Sequence, residues 1–161
     1  MKKSGTESKD ALASALRLLG VRQRSVFELT AKLKDKGFES GDIERTVERL
    51  KEAGYLNDAA FAKALAASRV NNKAWGPAKI SRDLSGRGID RETIKEAIAH
   101  ACPEEEELAK AALERWRKRN MKKTGREESQ KAFRHLLSRG FSPSAIWKAI
   151  GSRAGMEDEQ A

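Results

Sequence analysis

Cysteine is almost absent: Cys102 is the only one in 161 residues. An internal disulfide is therefore impossible, and a reducing compartment suits the chain. Aromatic residues make up only 6% of the sequence against 35% charged residues, which argues against one large globular core. Apolar residues reach 39%, enough for several small helical cores. No run approaches the roughly 18 apolar residues a membrane helix requires. The stretch 1–10 is polar and lacks the apolar segment of a signal peptide. A soluble, cytoplasmic protein with no membrane association is expected.

Catalytic patterns are also missing. The sequence holds no G-x-x-x-x-G-K-[ST], G-x-G-x-x-G or G-x-S-x-G. His100 and His135 are the only histidines, and His100 with Cys102 forms a bare H-x-C. Structural zinc wants four ligands in paired spacing. The acid run Glu104 to Glu107 follows Pro103, where negative charge suits the positive end of a helix better than it suits paired catalytic carboxylates. No enzyme, no metal and no cofactor are expected.

What the chain does have is self-similarity. Gly37, Gly88 and Gly140 stand 51 and 52 residues apart. Four residues before each is a leucine: Leu33, Leu84, Leu136. Directly after each is a bulky apolar residue: Phe38, Ile89, Phe141. Six after comes Ile43, Ile94 or Ile146, and ten after comes Val47, Ile98 or Ile150. Leu29 with Leu33, Ile80 with Leu84, and Phe133 with Leu136 and Leu137 share one helical face. The glycine supplies a left-handed C-cap, and the following isoleucine opens a second helix.

Start signals agree. Ser25 with Glu28 has capping-box spacing. Asn57 or Asp58, Asp90, and Ser142 before Pro143 suit N-caps, and Gly76-Pro77 puts proline in a first turn. The spacing predicts helices near 9–21, 25–36, 41–53, 58–72, 77–86, 91–101, 104–119, 127–138 and 143–151. The fold class is all-α: an elongated, curved array of three tandem three-helix repeats. They span 9–54, 55–101 and 104–151, flanked by mobile tails 1–8 and 152–161. Each unit is too small to bury much alone, so neighbours should stack.

Lys and Arg number 33 against 24 Asp and Glu, a net charge of +9. That excess helps a chain approach a polyanion or an acidic protein groove. Ten cations lie between Arg115 and Arg139 against Glu127 and Glu128, and five lie between Arg69 and Arg87 against Asp83. Smaller clusters are Arg22 with Arg24, and Lys32, Lys34 and Lys36. The second and third clusters occupy comparable places in their repeats, so an array could align them into one stripe. Phosphate contacts need only such cations. Trp116 and Trp147 read as packing residues. Trp75, in a loop beside Lys73 and Gly76, is the candidate for an exposed stacking or docking residue. Tyr55 pins the link between the first two repeats.

The segments ALRLLGVRQRSVFELTAKLKDKGF, GYLND-AAFAKALAASR and WGPAKISRDLSGRGI resemble the RecX regulatory proteins through about residues 11–98. The third repeat agrees through its helix pattern and the element Arg139-Gly140-Phe141. The resemblance implies three tandem three-helix repeats. It also implies binding to the RecA–DNA filament, in whose groove members restrain strand exchange and ATP hydrolysis; some bind DNA directly. Members often carry glycine two residues before the Gly-Pro, where this chain has Ala74.

A monomer that modulates, mainly inhibits, the RecA filament by bridging its subunits is therefore expected, with single- or double-stranded DNA contacted through phosphates. The expected contact residues are Arg22, Arg24, Arg69, Lys73, Trp75, Lys79 and Arg82. A third-repeat patch adds Arg115, Arg117, Lys118, Arg119, Lys122 and Lys123. The alternative is a direct nucleic-acid-binding helical module of the helix-turn-helix kind. Against it, the second helices carry Asp42, Glu44 and Glu48, or Glu92 and Glu96, a poor face for a major groove. A pure protein scaffold with merely solvated basic faces is the third class.

Overall fold

The repeated Leu-x-x-x-Gly-bulky pattern is a hydrogen-bonding device. In the computed structural model, which describes residues 4–120 and 125–157 (side chains from 11 to 151 within these), Gly37, Gly88 and Gly140 have φ of +86°, +73° and +92°. Left-handed backbone at that point turns the next amide back onto the helix. Phe38 N–H donates to Leu33 O, Ile89 N–H to Leu84 O and Phe141 N–H to Leu136 O, each at 3.2 Å. The bulky residue is thereby laid over the leucine, the apolar contact that accompanies this cap. The three leucines are fully buried. Burying each contributes about 1.5–3 kcal/mol, which is why leucine, glycine and the bulky residue recur together.

Among the described residues the regular elements are helices: α1 (Ser4–Val21), α2 (Val26–Asp35), α3 (Ser40–Glu52), α4 (Asp58–Lys73), α5 (Pro77–Gly86), α6 (Arg91–Ala101), α7 (Glu105–Arg119), α8 (Arg126–Arg139) and α9 (Pro143–Glu157). Each lies close to its expected span. The exceptions are α1 and α9, which extend into segments read as tails. Residues 1–3 and 158–161 lie outside the described residues. The chain is all-helical and organised as three-helix repeats.

It divides into two compact units, 1–62 with 84–94, and 63–83 with 95–161. In the first, α1 packs on α3 and both pack on α2, around Ala15, Leu29, Leu33, Ile43, Val47 and Leu50. Ser25 caps α2 in a full capping box with Glu28. Its buried Oγ also donates to Arg87 O at 2.6 Å. Asn57 caps α4 by accepting from Ala60 N–H at 2.9 Å. The neighbouring Asp58 instead accepts from Val26 N–H at 2.9 Å, so one carboxylate satisfies an orphan donor at the start of α2.

In the second unit α7 packs on α9, and α8 on both. The core holds Leu113, Leu136, Phe141 and Ile146, with alanines letting the helices approach closely. Glu105 does more than complement a helix dipole. Its carboxylate accepts from Ser142 N–H at 2.7 Å and Ser142 Oγ–H at 3.1 Å, tying the start of α7 to the start of α9. The Gly-Pro element docks by backbone alone: Gly76 N–H donates to Arg139 O at 2.8 Å and Ala78 N–H to Gly140 O at 3.1 Å. A Cβ on Gly76 would stand 2.6 Å from the Gly140 carbonyl, so both partners of this approach have to be glycine. Two residues before it, Ala74 adopts φ +51°. That is the left-handed conformation glycine takes most easily, and alanine holds it here.

Candidate nucleic-acid interface

The basic clusters of the sequence separate, in three dimensions, into cations committed to internal partners and cations that converge on one cleft. Arg22 belongs to the first group. Its guanidinium forks onto Glu28, with both distances 3.2 Å. Arg87 reaches the same carboxylate at 2.7 Å. Burial pushes the Glu28 carboxyl up, but the Arg22 and Ser25 hydrogen bonds and the charges of Arg22 and Arg87 outweigh it and hold it below its ordinary value. Arg24 is half-buried, with Nε 3.4 Å from Leu18 O.

In the second unit, Arg69 pairs with Asp83 at 2.7 Å, both side chains about one-fifth exposed. Arg117 pairs with Glu128 at 2.6 Å and with Glu114 at 3.5 Å. These pairs join residues 14 and 11 positions apart, so no local reading of charge runs exposes them. Trp75 is half-buried. Arg69, Lys73 and Lys79 place their charges 4.9, 5.8 and 4.9 Å from its ring centroid. Each contact at this range contributes about 0.5–1 kcal/mol. The ring organises the cations of the second cluster. Arg82 is exposed, with Nε 3.3 Å from Ala78 O, and Lys79 Nζ donates to Ser138 O at 3.1 Å.

Four other cations meet. Lys73 from the second cluster, and Arg115, Arg119 and Arg139 from the third, line a cavity of about 520 Å³. Trp116 and His135 form part of its wall, stacked with centroids 5.9 Å apart. Asn72 and Asn120 add amides, and among the described residues no Asp or Glu lines it. Two arginines are braced by backbone: Arg115 Nη1 donates to Asn71 O and Arg139 Nη1 to Lys73 O, both at 3.0 Å. Burial, and then the charges of Arg139, Arg119 and Lys79, hold the His135 imidazole below its ordinary value. The site is thus a cationic, aromatic-walled cleft within one unit. Lys118 is exposed outside it, and Lys122 and Lys123 lie outside the described residues.

The convergence of Lys73 with Arg115 and Arg119 brings together residues expected to act as contacts. Arg139, His135 and Trp116 were not among those expectations. Arg139 sits in the Arg-Gly-Phe element, and its place beside a repeat glycine was the signal available. Among the described residues no group of three or more His, Cys, Asp or Glu, His100 and Cys102 included, is placed to hold a metal ion. Cys102 is buried, and desolvation, aided by the Glu105 charge, pushes its thiol up to about 11. No helix among the described residues is long and apolar enough to cross a membrane.

Comparison with known proteins gives a consistent picture. Residues 11–50, 57–98 and 104–150 match, respectively, the first, second and third three-helix domains of RecX. A regulatory protein RecX of Legionella pneumophila is 35% identical over 142 residues, covering 87% of this chain and 92% of that protein. One from Chlorobaculum tepidum is 32% identical over 94% of this chain and 92% of its own length. The RecX of Halalkalibacterium halodurans is 33% identical over 91% of this chain, which spans only 55% of that longer relative. The crystal structure of RecX from Lactobacillus salivarius shares the fold, with a TM-score of 0.81 at 23% identity over 91% of this chain and 96% of that one.

Proposed function

Because the chain belongs to the RecX family, we propose that it regulates the RecA recombinase by binding the RecA–DNA filament in the cytoplasm and restraining strand exchange and ATP hydrolysis. No catalytic residue is needed. A protein that binds one filament state better than another shifts the filament toward it, by as much as the two affinities differ. Tandem repeats suit a partner that is itself a repeat, since successive repeats can engage successive subunits.

The observation that carries this reading is the acid-free convergence of Lys73, Arg115, Arg119 and Arg139 on one cleft. Such a surface attracts phosphates and releases their counterions, so binding weakens steeply with salt. The helix-turn-helix alternative has less support. Glu44 and Glu48 on α3, and Glu92 and Glu96 on α6, are exposed, and they would repel a DNA groove.

The test is charge reversal of Arg115, Lys118 and Arg119 to glutamate, read as binding to RecA filaments on single-stranded DNA. A loss of about tenfold or more, with a shallower salt dependence, is expected. Unchanged binding would show that these cations are merely solvated.

A further inference from the structure

We propose that the cleft lined by Lys73, Arg115, Arg119, Arg139, Trp116 and His135 is a nucleotide site: it takes one unpaired nucleotide, its phosphate among the cations and its base against the Trp116–His135 wall.

Three features lead there. The first is charge. Four permanent cations face one cavity, and among the described residues no carboxylate lines it. Elsewhere in the same unit, cations such as Arg69 and Arg117 are matched by Asp83 and Glu128. Arg115 and Arg139 are fixed by their bonds to Asn71 O and Lys73 O. Each such bond engages one of five guanidinium donors, so a ligand meets oriented groups and little side-chain entropy is lost on binding.

The second feature is the wall. A purely phosphate-binding surface needs no aromatic ring, and a duplex hides its base faces in the stack. Rings beside phosphate-binding cations serve a base that is already unstacked. Asn72 and Asn120, both exposed, line the cleft too; their amide nitrogens donate to Ser68 Oγ and Trp116 O, which leaves each a second N–H and an Oδ1 of the kind that meet base edges. The third feature is size. About 520 Å³ falls within the roughly 300–1,000 Å³ of small-molecule sites, and a flat patch that only tracks a backbone would enclose no such volume.

His135 makes the occupancy readable. Burial first, and then the charges of Arg139 on its own helix, Arg119 from α7 and Lys79 from α5, hold its imidazole below the ordinary value. A phosphate placed among these cations offsets them and favours the imidazolium. His135 and His100 are the only histidines, and His100 is exposed on α6 and does not line the cleft. The imidazole resonances therefore contain one reporter and one reference.

The experiment titrates the whole chain with thymidine monophosphate, a short oligothymidylate, a duplex of equal length and an oligoglutamate, following both histidines by NMR. The oligothymidylate is expected to move His135 saturably and raise its titration midpoint, leaving His100 unmoved. An equal response to the monophosphate makes the source a free nucleotide; a response to the oligomer alone makes it a single strand. Arg119→Ala, at an exposed position, should weaken binding about tenfold, whereas Lys95→Ala, exposed on α6 and outside the cleft, should change it less than about twofold. A duplex that moves His135 as well as the single strand does, a response to oligoglutamate alone, or equal losses in the two variants would overturn the proposal. RecA is absent from these titrations, so failure here leaves the filament reading to its own test.

Discussion

Substituting alanine at each of the three repeat glycines separates what the shared backbone costs from what each neighbourhood adds. All three have positive φ, and an L-residue there costs about 1–2 kcal/mol, partly offset by the stiffer unfolded chain. At Gly37 a Cβ meets nothing within 4 Å, so Gly37→Ala should cost about 1 kcal/mol. At Gly88 the Cβ would overlap the Phe27 side chain. The overlap is with Phe27 Cβ and Cγ, and a Cβ is carried by the backbone whatever the rotamer, so the start of α2 has to shift and Gly88→Ala should cost about 2–4 kcal/mol. At Gly140 the Cβ would overlap the Lys79 amide nitrogen and lie 2.5 Å from its Cβ. Backbone cannot swing aside, so the start of α5 has to move. The bonds Gly76 N–H to Arg139 O and Ala78 N–H to Gly140 O are then lost, at about 1 kcal/mol each, for a total near 3–4 kcal/mol. Urea midpoints followed by far-UV circular dichroism should show Gly37→Ala as the mildest of the three, with Gly88→Ala and Gly140→Ala both well below it. Equal losses at the three sites, or the largest loss at Gly37, would refute the backbone-docking argument.

Other outcomes follow from the same geometry. Ala74→Gly should raise stability by about 0.5–1 kcal/mol, read as a higher urea midpoint, because it relieves the +51° φ. Glu105→Ala should cost about 1–3 kcal/mol and fray the start of α9, visible as faster amide exchange there, since it leaves Ser142 without its carboxylate. Glu28, held below 4.5, stabilises the fold fully above pH 4.5 and loses that contribution as pH falls through its lowered value; Glu28→Gln should flatten the acid limb of the stability profile. Cys102, with its thiol pushed up to about 11, is only about a thousandth thiolate at pH 8, so iodoacetamide should label the unfolded chain far faster than the folded one.

The repeat was fully legible because its cause is local. Leucine, glycine and the bulky residue lie within six positions of one another and form one cap. Ser25, Asp90 and Ser142 cap as their spacing implies. What the sequence hid is contact at long range. Asp58 looks like an N-cap of its own helix, yet it serves Val26, 32 residues earlier. Glu105 looks like one acid in a run, yet it holds Ser142, 37 residues later. Charge clusters concealed their pairing for the same reason. Runs of like sign show where cations are, but Arg69 and Arg117 are spent on carboxylates brought near only by folding. Trp75, read as an exposed docking residue, has its ring ringed by the chain's own cations. Conversely, His135 and Trp116 carry no motif. They share a wall because α7 and α8 pack together, and neither helix alone reveals it.

The most direct test of RecA regulation is ATP hydrolysis by RecA on single-stranded DNA, titrated with this protein and with its Arg115, Lys118 and Arg119 charge-reversed form. The expected result is a fall in the rate with added wild-type protein at well below one copy per RecA, and a much weaker effect from the reversed form. A rate unchanged by the wild-type protein up to one copy per RecA would contradict the filament-binding reading.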